Sequence, residues 1–175
     1  MGRVACAGVG WTLAEVNGLP ADAVERELAA CNAAPRFAGD VAAGRPYRTA
    51  AELADAAATL AARLEWDEVE AALAAHPRLG ERPAGGSAEA ASSRREQSAV
   101  ATAGDDVKRA LADGNRAYEQ RFGHVFLIRA AGRDPGEILA ELRRRLGNDP
   151  AAERAETTAQ LAEITRLRVE RLVTG

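Results

Sequence analysis

Apolar positions along this chain recur every three or four residues, and runs of strict alternation are missing. That period is the mark of helices packed by one face. Val24 and Leu28 are four apart, with Glu25, Arg26 and Glu27 turned away, which predicts a helix over residues 21–31. Pro35 opens a shorter one through Phe37 and Val41, broken by Gly44-Arg45-Pro46. Thr49-Ala50-Ala51-Glu52 has capping-box form and starts a helix with Leu53, Ala57, Leu60 and Leu64 inward. A further helix runs from Trp66 to Ala75 on the stripe Val69, Leu73. Ser93-Arg94-Arg95-Glu96 again has capping-box spacing and predicts a helix start at Ser93, running to about residue 103. Asp105 caps the next, with Leu111, Asn115 and Tyr118 on one face, ending near Phe122-Gly123. Asp134-Pro135-Gly136-Glu137 and Asp149-Pro150 open the last two, the final one reaching about residue 173. The sum is an all-α single domain of about eight helices covering residues 1–175.

Three stretches stand outside this pattern. Residues 1–19 read as a loose lead-in with a short turn around Trp11, the first ten residues loosely ordered. Residues 77–91 are rich in Gly, Pro, Ser and Ala and read as a long loop. Val125-Phe126-Leu127-Ile128 is an apolar run too short for periodicity to decide between buried helix and strand.

Composition narrows the function. Of 175 residues, 47% are hydrophobic and 28% charged, a globular balance, and the core must be built mostly from Ala, Leu and Val. A net charge of −3 and 4% aromatics argue against nucleic acid as a partner. No apolar run approaches bilayer length, so a membrane is not expected either. Cys6 and Cys31 form neither a disulfide framework nor a metal-ligand spacing, so no metal is expected and a cytoplasmic setting is the default.

Candidate chemistry then gathers at four places. His76, one of two histidines, precedes Pro77, and a residue before proline is pushed out of the helix. Its imidazole is either a partly buried helix stop with one hydrogen bond or a proton carrier. Arg168 falls on the apolar stripe Leu161, Ile164, Leu172 of the last helix. It either snorkels to water or serves as a fixed cation for a carboxylate or carbonyl. Ser93 to Gln97 reads as a helix N-cap, or as backbone N–H groups with Glu96 and Gln97 offered to a urea-like group. Phe122 to Ala131 is core by composition, flanked by Gly123 and Gly132.

Together these segments resemble a family. The order His76-Pro77-Arg78-Leu79-Gly80-Glu81, then Ser93-x-x-Glu96-Gln97, then Asn115-x-x-Tyr118-x-x-Arg121-Phe122-Gly123-x-x-Phe126, then Arg166-Leu167-Arg168-x-x-x-Leu172 is similar to the decarboxylases of 2-oxo-4-hydroxy-4-carboxy-5-ureidoimidazoline (OHCU). Arg36-Phe37-Ala38 and Gly44-Arg45-Pro46-Tyr47 extend the likeness over most of the chain. The resemblance implies an all-helical fold and decarboxylation of OHCU to (S)-allantoin in urate catabolism, without a cofactor. It also implies one site per subunit of a homodimer. It puts the catalytic roles on His76, Glu96 and Arg168. Substrate binding falls on Pro77, Ser93, Arg94, Arg95, Glu96, Gln97, Arg168 and the stretch Phe126, Leu127, Ile128, Arg129, Ala130. His124 stands where many members carry Phe. The competing readings are a non-catalytic helical protein that binds a ureide or purine-derived ligand and, more remotely, a helix-turn-helix DNA binder using Arg143-Arg144-Arg145.

Overall fold

A computed structural model of the chain describes residues 10–81 and 88–173. The expected looseness of the first ten residues therefore lies outside the described residues, Gly10 excepted. Ten helices are described: α1 Leu13–Gly18, α2 Ala21–Ala29, α3 Phe37–Ala43, α4 Ala50–Ala61, α5 Trp66–Ala74, α6 Ala88–Glu96, α7 Ser98–Ala101, α8 Asp105–Phe122, α9 Pro135–Arg145 and α10 Pro150–Leu172. Among the described residues there is no strand. No helix among them is long and apolar enough to cross a membrane.

Where caps are legible the boundaries follow them. Thr49 accepts from the Glu52 N–H, Asp134 from the Gly136 N–H, and Asp149 from the N–H groups of Ala151 and Ala152. Gly123, at φ +79°, closes α8 in the left-handed conformation that glycine adopts without strain.

Three expectations need correction. From Trp11 on, the lead-in is more ordered than its composition suggests. Thr12 and Glu15 form a reciprocal capping box that starts α1. Asn17 and the Tyr47 backbone exchange two hydrogen bonds, and Arg45 reaches the carbonyls of Val16 and Leu19. Those partners lie some thirty residues away, beyond the reach of local pattern. Second, α6 begins at Ala88, inside the stretch read as loop. Ser93 is therefore an interior residue of a helix and not its N-cap. The segment lacks an apolar stripe, so periodicity carried no signal there. Third, the run after Gly123 is neither helix nor strand; the alternation of its side chains between two apolar clusters marks it as an extended run.

The core has two parts. α1 to α5 pack with α10 around Leu28, Phe37, Leu53, Val69 and Leu161. A second cluster joins α8 and α9 through Leu111, Tyr118, Ile138 and Leu142. Gly114 lets α9 come close: a Cβ there would meet Leu142 Cδ2 at 2.6 Å. The extended run lies on the seam, with Leu127 in the first cluster and Phe126, Ile128 and Ala130 in the second. Alternate residues of an extended chain point to opposite sides, so one strand-like segment serves both halves.

Candidate active site

A small cavity opens at this seam. Four segments line it: the end of α5, the end of α6, the extended run, and the α10 face that carries Arg168. Its volume is about 30 Å³, room for about one water molecule.

His76 lies just past the end of α5 and is 8% exposed. Its Nδ1 is 2.9 Å from the carbonyl oxygen of Ala72. A carbonyl only accepts, so Nδ1 carries the proton and Nε2 holds the lone pair. Nε2 is buried and has no hydrogen-bond partner among the described residues. Burial, then the positive charge of Arg168, pull the imidazole pKa down to about 4. His76 is thus neutral at pH 7, with a free acceptor.

Arg168 is 3% exposed, so its stem does not snorkel. Its Nε and Nη2 donate to the two oxygens of Glu96 at 3.0 and 2.9 Å, and Nη2 also reaches Ser93 Oγ at 3.3 Å. Arg171 adds a longer contact to Glu96 at 3.5 Å. Arg168 Nη1 is buried and has no partner among the described residues. A bidentate pair fixes the fork and leaves this one N–H edge aimed elsewhere.

Ser93 and Glu96 on α6, and Gln97 just past its end, are spaced i, i+3, i+4 and all line the cavity. Arg94 and Arg95 fall between them on the turn and are exposed. The structure therefore does not bring Arg94 and Arg95 to the cavity. Gln97 also accepts from the Gly80 N–H at 2.9 Å, which ties α6 to the chain just beyond His76. The reading that placed a helix N-terminus here is overturned: the site uses the C-terminal end of α6.

Pro77, Phe126, Leu127, Ile128 and Ala130 line the cavity, and Arg129 does not. The Arg129 side chain instead pairs with Glu163 at 3.1 Å. Two lining residues were missed, Leu79 and Ile164. Both had a signal: Leu79 stands three past His76, and Ile164 precedes Arg168 by one helical turn. His124 is outside the cavity and packs edge-on against Trp66 and Tyr118, with centroids 5.1 and 5.4 Å apart. Its ring does the packing that a Phe would do. No group of three or more His, Cys, Asp or Glu that could hold a metal comes together among the described residues. Cys31, buried nearby, is pushed up to about 12 by desolvation and stays a thiol.

Against known proteins, residues 17–170 match the family model described as OHCU decarboxylase. The chain is 32% identical over 143 residues to the 2-oxo-4-hydroxy-4-carboxy-5-ureidoimidazoline decarboxylase of Amia calva, covering 79% of this chain and 81% of that protein. It is 36% identical over 104 residues to the uric acid degradation bifunctional protein of Arabidopsis thaliana. That match covers 58% of this chain and only 32% of the plant protein's length. Among solved structures, an OHCU decarboxylase crystallised in the presence of (S)-allantoin superposes with a TM-score of 0.71 at 27% identity, covering 83% of this chain and 96% of that one. An (S)-allantoin synthase shares the fold, with a TM-score of 0.68 at 18% identity, over 93% of this chain and 54% of that one.

Proposed function

The chain belongs to the OHCU decarboxylase family, and from that footing we propose that it decarboxylates OHCU to (S)-allantoin in urate catabolism, with His76, Glu96 and Arg168 as the catalytic set. The observation that carries this reading is one cavity lined by a neutral imidazole and a fixed guanidinium, each buried and each keeping one nitrogen, His76 Nε2 and Arg168 Nη1, without a partner among the described residues.

The substrate's chemistry fits these two groups. The carbon that loses CO2 bears a hydroxyl and adjoins a C=N bond. When the C–C bond breaks, its electron pair flows toward that C=N unit. The hydroxyl becomes the ring carbonyl of allantoin, so its proton must leave. The neighbouring ring carbon must then gain one, and the ring nitrogen that received the electron pair takes a second proton from solvent. A neutral His76 accepts the first proton at Nε2, and the imidazolium so formed returns one to the carbon on the same face. Delivery from one side gives one hand of product. Arg168 Nη1 supports charge on a ring oxygen or on the carboxylate, and the Glu96 pair holds that fork in place. Gln97, Ser93 and the backbone of 126–130 meet the ureido and ring polar groups, and Pro77 shapes the wall beside His76. The cavity is smaller than such a ring acid, so the lining parts when substrate enters and closes on it afterwards, which also excludes water.

The same reading makes the chain one domain working as a homodimer in the cytoplasm. Light scattering on the purified protein checks the dimer.

The deciding experiment is a coupled assay. Urate is oxidised and its product hydrolysed in place, and allantoin is followed by circular dichroism with and without the protein. A rapid signal of one hand is expected. A signal no faster than the blank, from folded protein, would favour a non-catalytic ureide-binding protein.

A further inference from the structure

The extended run that walls the cavity borrows its anchorage from two helices. Arg145, on α9, donates from Nη1 to the Leu127 carbonyl at 2.8 Å. Its guanidinium carbon also lies 4.8 Å from the Phe126 ring centroid. Gln160, on α10, accepts from the Arg129 N–H at 2.8 Å. These two contacts bracket Ile128. Neither Arg145 nor Gln160 lines the cavity.

Arg145 is itself held with unusual completeness. It is 0% exposed. Nε donates to Glu153 at 2.9 Å and Nη2 to Thr157 Oγ1 at 3.0 Å, while the Tyr118 hydroxyl donates to the same Glu153 carboxylate. Asn148 donates to the other Glu153 oxygen at 2.8 Å. A buried ion pair is a poor route to stability, because desolvation offsets the attraction. It is a good route to geometry, since a planar fork with every arm engaged cannot drift. The geometry here is spent on a backbone carbonyl between two cavity-lining side chains.

We propose that Arg145 and Gln160 are positioning residues for the decarboxylation site: they set the register in which Phe126 to Ala130 meets the substrate, without touching it. The assignment rests on the decarboxylase reading. A polar backbone wall that is off by a fraction of an ångström still binds a ring, but it no longer presents the reacting carbon to His76. The expected signature is therefore a fall in kcat larger than the rise in KM.

Gln160 gives the cleaner test, because it is only half buried and its removal leaves the ion-pair network intact. Wild type, Gln160→Leu, Gln160→Glu and Arg145→Lys would be compared for kcat, KM, product handedness and Tm. Gln160→Leu should lose kcat about ten- to a hundredfold, with Tm close to wild type and lower enantiomeric purity. Gln160→Glu keeps an acceptor oxygen and should restore most of the rate. Arg145→Lys keeps the charge but loses the fork, and should move kcat in the same direction as Gln160→Leu. Turnover by wild type with unchanged Gln160→Leu kinetics would overturn the positioning assignment alone, as would a loss that Gln160→Glu shares in full. Absence of turnover in folded wild type would overturn the decarboxylase reading and this assignment with it.

Discussion

His76 Nε2 and Arg168 Nη1 are the two buried polar side-chain atoms of the cavity that lack a partner among the described residues, one an acceptor and the other a donor. Buried polar groups are ordinarily satisfied, since an unmet one costs about 1–3 kcal/mol. Two such groups of opposite kind facing one cavity describe what the missing partner must offer: an O–H or N–H for the imidazole and an anionic or carbonyl oxygen for the guanidinium. A hydroxy acid on a polar ring offers both.

Removing the imidazole should be the most damaging single change to activity. His76→Ala is expected to lower kcat by about 10²–10⁴-fold, the usual worth of general acid–base help. The coupled dichroism assay measures it. An unimpaired variant would take His76 out of the mechanism.

Arg168→Lys should lower kcat/KM by roughly ten- to a hundredfold, on the basis of about 1.5–3 kcal/mol for a charge-assisted hydrogen bond. One ammonium cannot grip both Glu96 oxygens and still present a donor to the cavity. Steady-state kinetics on the purified variant check this.

Glu96→Gln keeps the shape but withdraws the negative charge from a buried guanidinium. Destabilisation of up to about 3 kcal/mol is expected, less than for outright loss of a buried partner because one amide oxygen still accepts. Denaturant unfolding reads the change in midpoint, and activity should fall with it.

The pH dependence follows from the imidazole held near 4. The acid limb of kcat/KM, which reports the free enzyme, should lie near that value and not near 6.5. Stability should change in the same window. Above pH 6.5 His76 is neutral folded or unfolded and contributes no slope. As pH falls from 6.5 towards 4 the unfolded chain takes up a proton that the folded chain refuses, so the fold loses stability, by up to about 3 kcal/mol. Below 4 the loss levels off. Urea midpoints across this range should show the slope in wild type and a shallower one in His76→Gln.

His124→Phe is expected to leave kcat and KM unchanged, with Tm within a few degrees. The ring contacts to Trp66 and Tyr118 are kept, and only the weak Nδ1 contact with the Val125 carbonyl is lost. A large kinetic effect would mean that His124 reaches the substrate.

The sequence by itself determined most helix boundaries, because a cap and an apolar stripe are local: Thr49, Asp134 and Asp149 sit beside the N–H groups they satisfy. It also placed Arg168 on the apolar stripe with Ile164 and Leu172, while the choice between a buried head and one that reaches water was left to the tertiary structure. His76, Glu96, Gln97 and the 126–130 run were legible as well, through motif order. What only the tertiary structure decided depends on residues far apart in the chain. The cavity exists because α5, α6, α10 and the extended run converge at a seam between two apolar clusters. The protonation of His76 follows from burial and from Arg168, 92 positions later. Ser93 was misread as an N-cap because capping-box spacing recurs inside helices, and only packing against α10 shows which face the segment turns inward. Arg129 was read with the ligand-lining stretch, but its side chain pairs with Glu163 on α10, a partner 34 residues away that no local pattern marks. The extended run itself has no local signal for its shape. It is tied instead by Arg145 and Gln160, whose hydrogen bonds to it reach across 18 and 31 residues.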